Sequence, residues 1–143
     1  MAKAKRVYEY SYTSYLGNRG FIKVLEDGKV EAEYYNMMEG EDELKASIED
    51  KTVKRIQQAM KAFPEFFNIK KAIEPVDMVL DGYFEIFYAN TGEKSNDARV
   101  SNWGFCDDCD ELTVIDALHN RVAEILIEEG IDRKYFYAIY DPE

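Results

Sequence analysis

The chain has 143 residues, of which 46% are hydrophobic and 14% aromatic, too many for a disordered protein and enough for the core of one domain. Its formal net charge is −11, from 29 acidic and 18 basic residues. Because no basic stripe can neutralise phosphates, the composition argues against direct binding to nucleic acid or to anionic membranes. We expect a single domain over residues 1–143.

The chain begins with a basic stretch that passes directly into a strand pattern. Tyr8, Tyr10 and Tyr12 alternate with polar residues, which predicts a half-exposed strand over residues 7–13. No apolar signal core or membrane-spanning run is found. Two cysteines without an export signal predict a cytoplasmic protein.

The dipeptide Asp27-Gly28 is the strongest hairpin signal in the chain. It separates two strand patterns, residues 21–26 and 29–37. A two-residue turn here pairs Glu26 with Lys29, which is a favourable pair of opposite charges.

An acidic segment leads into the first predicted helix. Residues 39–43 are expected to form a loop, and residues 44–48 either a short edge strand or the start of the helix. Asp50, or Ser47 with Asp50 at its third position, can cap the helix, which ends at Pro64. Its apolar stripe consists of Val53, Ile56, Met60 and Phe63.

Residues 83–89 are nearly all aromatic or β-branched and lie between turn signals. With so few polar residues, we expect a central strand that is covered on both faces. Residues 99–103 are its predicted hairpin partner. The pattern D-G-x-apolar-E-x-x-Y-x-N occurs at residues 27–36 and again at residues 81–90, which suggests a duplicated ββα unit.

The second predicted helix is followed by a last strand. Gly130 is a suitable residue to follow the helix C-terminus. Residues 134–140 form the predicted strand. Its edge is a candidate for pairing two copies into a homodimer. The apolar face of the helix comprises Leu112, Ile115, Leu118, His119, Val122, Ile125 and Leu126.

The element order is β, hairpin, α, hairpin, α, β. It predicts an α+β fold with a mainly antiparallel sheet of five to six strands and two helices packed on one face. The succession of Tyr8-Tyr10-Tyr12, Asp27-Gly28, Phe66-Phe67-Asn68-Ile69 and Asp81-Gly82 to Ile86 resembles small uncharacterised bacterial α+β domains of unknown function. The resemblance spans residues 8–128; it implies the fold and no activity.

Cys106-Asp107-Asp108-Cys109 precedes the second helix, where a helix N-terminus stabilises a thiolate. The intervening acids oppose this effect, and the setting is not βαβ. A zinc site could use Cys106, Cys109 and His119, although His119 is expected at the core edge with one hydrogen bond. These residues define a thiol redox or metal-binding alternative. Otherwise we expect no cofactor.

Ten of the eleven net negative charges lie in two segments, residues 39–50 and 105–116. Helix dipoles account for some of these acids. We expect a non-catalytic acidic module that binds a protein partner, most simply a basic one, with an inhibitor that mimics nucleic acid as a further alternative. The candidate partner-binding residues are Glu39, Glu41, Asp42, Glu43, Asp107, Asp108, Asp110 and Glu111.

Enzyme motifs are missing from the sequence. It has no G-x-S-x-G, no glycine-rich phosphate loop and no H-E-x-x-H. The single histidine also removes most nucleophile–histidine arrangements. The sequence therefore favours binding over catalysis.

Overall fold

The computed structural model describes residues 4–14, 17–38, 40–75, 82–103 and 106–137. They form six strands, two α-helices and two short 3₁₀ helices. The strands are β1 (Arg6–Ser14), β2 (Arg19–Leu25), β3 (Lys29–Asn36), β4 (Gly40–Ser47), β5 (Tyr83–Asn90) and β6 (Ser95–Ser101). The helices are α1 (Asp50–Met60) and α2 (Asp110–Glu128), and the 3₁₀ helices are Pro64–Asn68 and Arg133–Tyr135.

The six strands form one antiparallel sheet in the order β4-β3-β2-β1-β5-β6. This confirms the predicted α+β class. The first four strands form a meander, and β5 returns to pair with β1 on its other side. Tyr12 of β1 lies opposite Gly20 of β2 and Glu85 of β5, so the two halves of the chain meet at β1.

The helices and the sheet enclose one hydrophobic core. Tyr8, Tyr10 and Tyr12 are at most 3% exposed, whereas Glu9 and Ser11 on the other face of β1 are partly exposed and Thr13 is exposed, so the predicted half-exposed strand is confirmed. The buried hydroxyls of Tyr8 and Tyr10 have hydrogen-bond partners, as buried phenols usually do. On α1 the core residues are Val53, Ile56 and Met60; on α2 they are Leu112, Ile115, Leu118, Val122, Ile125 and Leu126.

The β2–β3 hairpin has a three-residue loop, not the predicted two-residue turn. Val24 pairs with Val30, and the Gly28 N–H donates to the Leu25 carbonyl at 3.0 Å. Gly28 has φ +89°, as a three-residue loop ending in a left-handed residue requires. This register keeps Val24 and Val30 on one face, whereas pairing Glu26 with Lys29 would shift the apolar faces out of phase.

The acidic segment expected to be a loop forms the first half of β4, residues 40–43. Glu41, Asp42 and Glu43 are exposed and pair with Tyr35, Tyr34 and Glu33 of β3. Edge strands tolerate such charges because one side of the strand faces solvent. Of the two alternatives for residues 44–48, the edge strand is therefore correct, although it starts earlier.

At the other edge, β6 is partly occupied by the segment before β5. The Ile73 N–H donates to the Arg99 carbonyl, and its own carbonyl accepts from the Ser101 N–H, both at 2.9 Å. The two edges are thus protected by different means, one by charge and one by backbone pairing.

Strand β5 lies inside the sheet, but it is not covered on both faces as expected. Phe84 and Ile86 point away from the helices and are 59% and 38% exposed. Both helices lie on the opposite face, with Phe87 and Ala89 beneath them. The aromatic content of this strand does not distinguish a covered face from an open one.

The segment expected to form the last strand instead contains the 3₁₀ helix Arg133–Tyr135; residues 138–140 lie outside the described residues. Asp132 caps the helix through the Lys134 N–H at 2.9 Å. Tyr135 and Phe136 are buried, which fixes this turn against the core. The described part of the predicted strand, residues 134–137, is therefore not a strand edge that could pair two copies.

The ββα duplication is not confirmed. Among the described residues four strands precede α1, whereas two lie between α1 and α2. Gly28 has a left-handed φ, and Gly82 does not; Asp81 lies outside the described residues. The repeated letters therefore do not reflect a repeated local conformation.

Candidate functional site

A cavity of about 560 Å³ lies on the helix-covered side of the sheet, between β5 and the first turns of α2. Six aromatic side chains contribute to its wall: Tyr10, Tyr83, Phe87, Trp103, Phe136 and Tyr137. Three carboxyl groups also line it, those of Glu85, Asp108 and Asp116. The other described lining residues are Cys106, Cys109, Leu112, Thr113 and His119, so this part of the wall contains no lysine or arginine.

Glu85 is the acidic group at the floor of the cavity. It alternates with Phe84 and Ile86 along β5, and so points toward the helices. The Tyr10 hydroxyl donates to Glu85 Oε2 at 2.6 Å. Burial raises the pKa of Glu85 to about 7, opposed by the Tyr10 hydrogen bond and assisted by the charge of Asp116. Near neutral pH both protonation states of Glu85 are populated.

Asp116 belongs to the opposite wall and is carried by α2. Burial raises its pKa, opposed by a hydrogen bond with the Asn120 side chain. Asp108 and Thr113 are exposed, as is Asp116, which places the opening of the cavity beside the start of α2. The carboxyl groups thus run from the buried floor to the exposed rim.

His119 is fully engaged in the wall. The Tyr8 hydroxyl is hydrogen-bonded to its Nδ1, and its Nε2 lies 3.0 Å from the Phe136 carbonyl oxygen. The carbonyl can only accept, so Nε2 carries the proton and Nδ1 accepts from Tyr8. Burial lowers the pKa of His119 to about 4, partly offset by the Phe136 hydrogen bond. His119 therefore makes two hydrogen bonds instead of the expected one, and its ring is neutral at pH 7.

Cys106 and Cys109 are free thiols that line the cavity. The Cys106 thiol lies 3.3 Å from the Ser101 carbonyl oxygen, to which it can donate. Its pKa is raised by burial and, to a smaller extent, by the charges of Cys109 and Asp107. Among the described residues, no three histidine, cysteine or acidic side chains are grouped so that they could hold a metal ion.

The acidic candidates fall into two separate groups. Asp107, Asp108, Asp110 and Glu111 are exposed at the start of α2, and the described residues give none of them an ion-pair partner. Glu41, Asp42 and Glu43 lie on β4; Glu39 lies outside the described residues. Asp42 forms an ion pair with Lys134, which lowers the pKa of Asp42.

The sheet register gives the distance from the β4 group to the floor of the cavity. Asp42, Tyr34, Gly20, Tyr12 and Glu85 occupy successive paired positions on five strands. Four strand spacings of about 4.8 Å place Asp42 roughly 19 Å from the cavity floor.

The sequence analysis missed Glu85, Tyr10 and Asp116 as site residues. One signal was available for Glu85: it occupies the same alternating face as Phe87 and Ala89, where a buried carboxyl is unusual. Asp116 carries no such signal, because it lies on the exposed side of an amphipathic helix. Only the pairing of β1 with β5 brings Tyr10 to Glu85.

Comparison with models of known protein families finds no match, and a comparison with curated proteins also finds none. Neither helix of the described chain is both long and apolar enough to cross a membrane.

Proposed function

We propose that this chain is a non-catalytic module that binds a basic protein partner at the acidic rim of the cavity. The observation that carries the proposal is the group of four exposed carboxylates at residues 107–111, beside a cavity whose described wall holds further carboxyls and no basic side chain. Such a surface attracts and orients a positively charged partner.

The helix dipole explains only half of this acidic group. Asp110 and Glu111 lie in the first turn of α2, where carboxylates stabilise the helix. Asp107 and Asp108 precede the helix and have no ion pair within the described chain. Two neighbouring unpaired carboxylates repel each other, and a basic partner relieves that repulsion.

The β4 group supports the proposal less well. Asp42 is already paired with Lys134, whose ammonium also lies 5.4 Å from the ring centre of Tyr34. Glu41 and Glu43 protect an edge strand, which is sufficient reason for their charge. For this reason we assign the partner to the cavity rim and not to β4.

The thiol redox or metal alternative centred on Cys106, Cys109 and His119 has less support. Both ring nitrogens of His119 are occupied, and the raised pKa of Cys106 disfavours the thiolate that redox and metal chemistry need. Mimicry of nucleic acid also has less support, because Asp42 of the β4 group is already paired with Lys134.

The test measures the binding of a labelled synthetic lysine-rich peptide to the protein by fluorescence anisotropy, at low and at high salt. We expect binding that weakens with salt, and a larger loss for Asp107→Asn/Asp108→Asn than for the matched control Glu41→Gln/Glu43→Gln. Both variants remove two charges from exposed positions. Binding that ignores salt, or equal losses in the two variants, would refute the assignment to the rim.

We further propose that the protein acts in the cytoplasm. Its two cysteines are free thiols, as is usual in a reducing compartment. Fractionation of the source cells tests this directly, and recovery in an oxidising compartment would contradict it.

A further inference from the structure

The side chains that line the cavity indicate which class of ligand it can bind. Aromatic faces attract cations through their quadrupole, and carboxylates do so through their charge. His119 adds no positive charge, because its ring is neutral and both nitrogens are hydrogen-bonded. A cationic ligand therefore meets no like charge on the described wall, whereas an anionic ligand meets three carboxyl groups.

Glu85 and Asp116 face the cavity from different layers of the fold, the sheet and α2. They are near enough for the charge of Asp116 to act on Glu85. Tyr10 holds one oxygen of Glu85, Oε2, at 2.6 Å and thereby fixes the carboxyl group on the floor. A positive group between the two walls would be attracted by both acids at once.

The aromatic side chains of the wall favour an organic cation over a metal ion as the ligand. Metal ions such as Ca²⁺ and Mg²⁺ need several oxygen ligands at short range, and the described residues contain no such cluster. Aromatic rings beside a carboxylate instead suit an alkylammonium group, whose methylene or methyl surface is apolar. The volume of about 560 Å³ lies within the ordinary range for small-molecule sites.

We propose that the cavity binds an organic ammonium group, with Glu85 as its principal counter-charge and Trp103 among the rings that contact it. The group is either a free small amine or a lysine side chain of the partner. The inference deepens the proposed function, since it gives the basic partner a site for one charged group. It extends that function in the case of a free amine.

Trp103 is the only tryptophan in the sequence and lines the cavity, so its fluorescence reports on occupancy. The probes are n-butylammonium and tetramethylammonium, with n-butanol and tert-butanol as uncharged analogues. We expect the ammonium ions to bind at least about tenfold more tightly than the alcohols, which corresponds to about 1.4 kcal/mol. Equal binding of charged and uncharged probes, or no binding of either, would overturn the proposal.

Variants test the assignment of Glu85. Glu85→Gln should weaken butylammonium binding at least about tenfold, and Asp116→Asn by a smaller factor. Glu65→Gln, an exposed acid outside the cavity, is the control and should leave binding unchanged. Asp116 is exposed, so its variant keeps the test usable if Glu85→Gln does not fold. Unchanged affinity in folded Glu85→Gln, or, if it does not fold, in Asp116→Asn, would refute the role of the cavity acids.

The source of the ammonium group is decided by comparing the free amine with the lysine-rich peptide. A peptide that displaces butylammonium indicates a lysine side chain, and butylammonium binding without peptide binding indicates a free amine; both outcomes support the cavity site. In the second case the proposed function fails and this inference stands. Peptide binding that leaves Trp103 fluorescence and butylammonium affinity unchanged would refute the inference while the proposed function stands.

Discussion

Tyr10 and Glu85 lie on neighbouring strands, and the Tyr10 hydroxyl donates to the Glu85 carboxyl at 2.6 Å. The contact joins residues 75 positions apart in the sequence. It places an acidic group on the floor of an aromatic cavity and holds it there. Two opposing effects set the charge of that group: burial favours the neutral acid, and the tyrosine favours the carboxylate.

Replacement of Glu85 by glutamine should change how stability depends on pH. Native Glu85 keeps its proton to about pH 7, whereas an unfolded glutamate loses it near 4.5, so this group lowers the free energy of unfolding as pH rises across that window. His119 acts in the opposite sense, because its native pKa is about 4 and its ordinary value is 6.5. The two effects offset each other between about pH 4.5 and 6.5.

Of these two effects, only that of the histidine remains in Glu85→Gln. We expect its free energy of unfolding, measured with urea, to rise by about 2–3 kcal/mol from pH 4.5 to 6.5 relative to the parent chain. Glu65→Gln should follow the parent curve. Parallel curves for Glu85→Gln and the parent would show that Glu85 does not titrate as argued.

Two tyrosine variants compare a paired hydroxyl with an unpaired one. Tyr8→Phe leaves the buried Nδ1 of His119 without a donor and should cost about 1–3 kcal/mol. The Tyr12 hydroxyl is buried and has no hydrogen-bond partner within the described structure, so Tyr12→Phe should be neutral or stabilise by up to about 1 kcal/mol. Thermal unfolding measures both, and similar losses in the two variants would contradict these assignments.

Alanine substitutions at Gly28 and Gly40 distinguish the cost of backbone strain from the cost of a close contact. Both have left-handed φ, +89° and +93°, so alanine at either should cost about 1–2 kcal/mol. At Gly28 the added Cβ would also lie 2.3 Å from the Ile48 carbonyl oxygen, whereas at Gly40 it meets no atom of the described residues within 4 Å. Gly28→Ala should therefore be clearly the less stable variant in urea, and an equal loss would mean that the contact relaxes freely.

The thiols offer a test of the redox alternative. In Cys109→Ser the remaining Cys106 should react with iodoacetamide at pH 8 more slowly than N-acetylcysteine, because burial and neighbouring acids raise its pKa. Unfolding in urea should restore the rate of the free thiol. Faster reaction in the folded protein, or zinc bound at one equivalent by the parent chain, would favour the redox or metal alternative.

The sequence predicts those elements whose signals are local. The spacing of Val53, Ile56 and Met60 predicts α1, and Asp27-Gly28 predicts a hairpin, because helix faces and glycine turns depend on residues close in sequence. The length of the hairpin loop is set by the register of β2 against β3. A two-residue and a three-residue loop share the same Asp-Gly signal.

The site depends on contacts that local patterns do not contain. Four of the five residues at positions 39–43 are acidic and resemble a loop, yet pairing with β3 makes residues 40–43 part of a strand. The cavity requires β5 to pair with β1 and α2 to cross both. Cys106, Cys109 and His119 were recognised as residues of possible chemistry, but the floor residue Glu85 becomes visible only in the assembled sheet.

The two edges of the sheet are protected in different ways: β4 carries acidic side chains, and Ile73 pairs with part of β6. Growth of a fibril needs a bare margin onto which a further chain can add its backbone. An added strand at β4 would be repelled by carboxylates. At β6 it would first have to displace the segment that contains Ile73. Both edges of the sheet therefore oppose the addition of a further chain by backbone pairing.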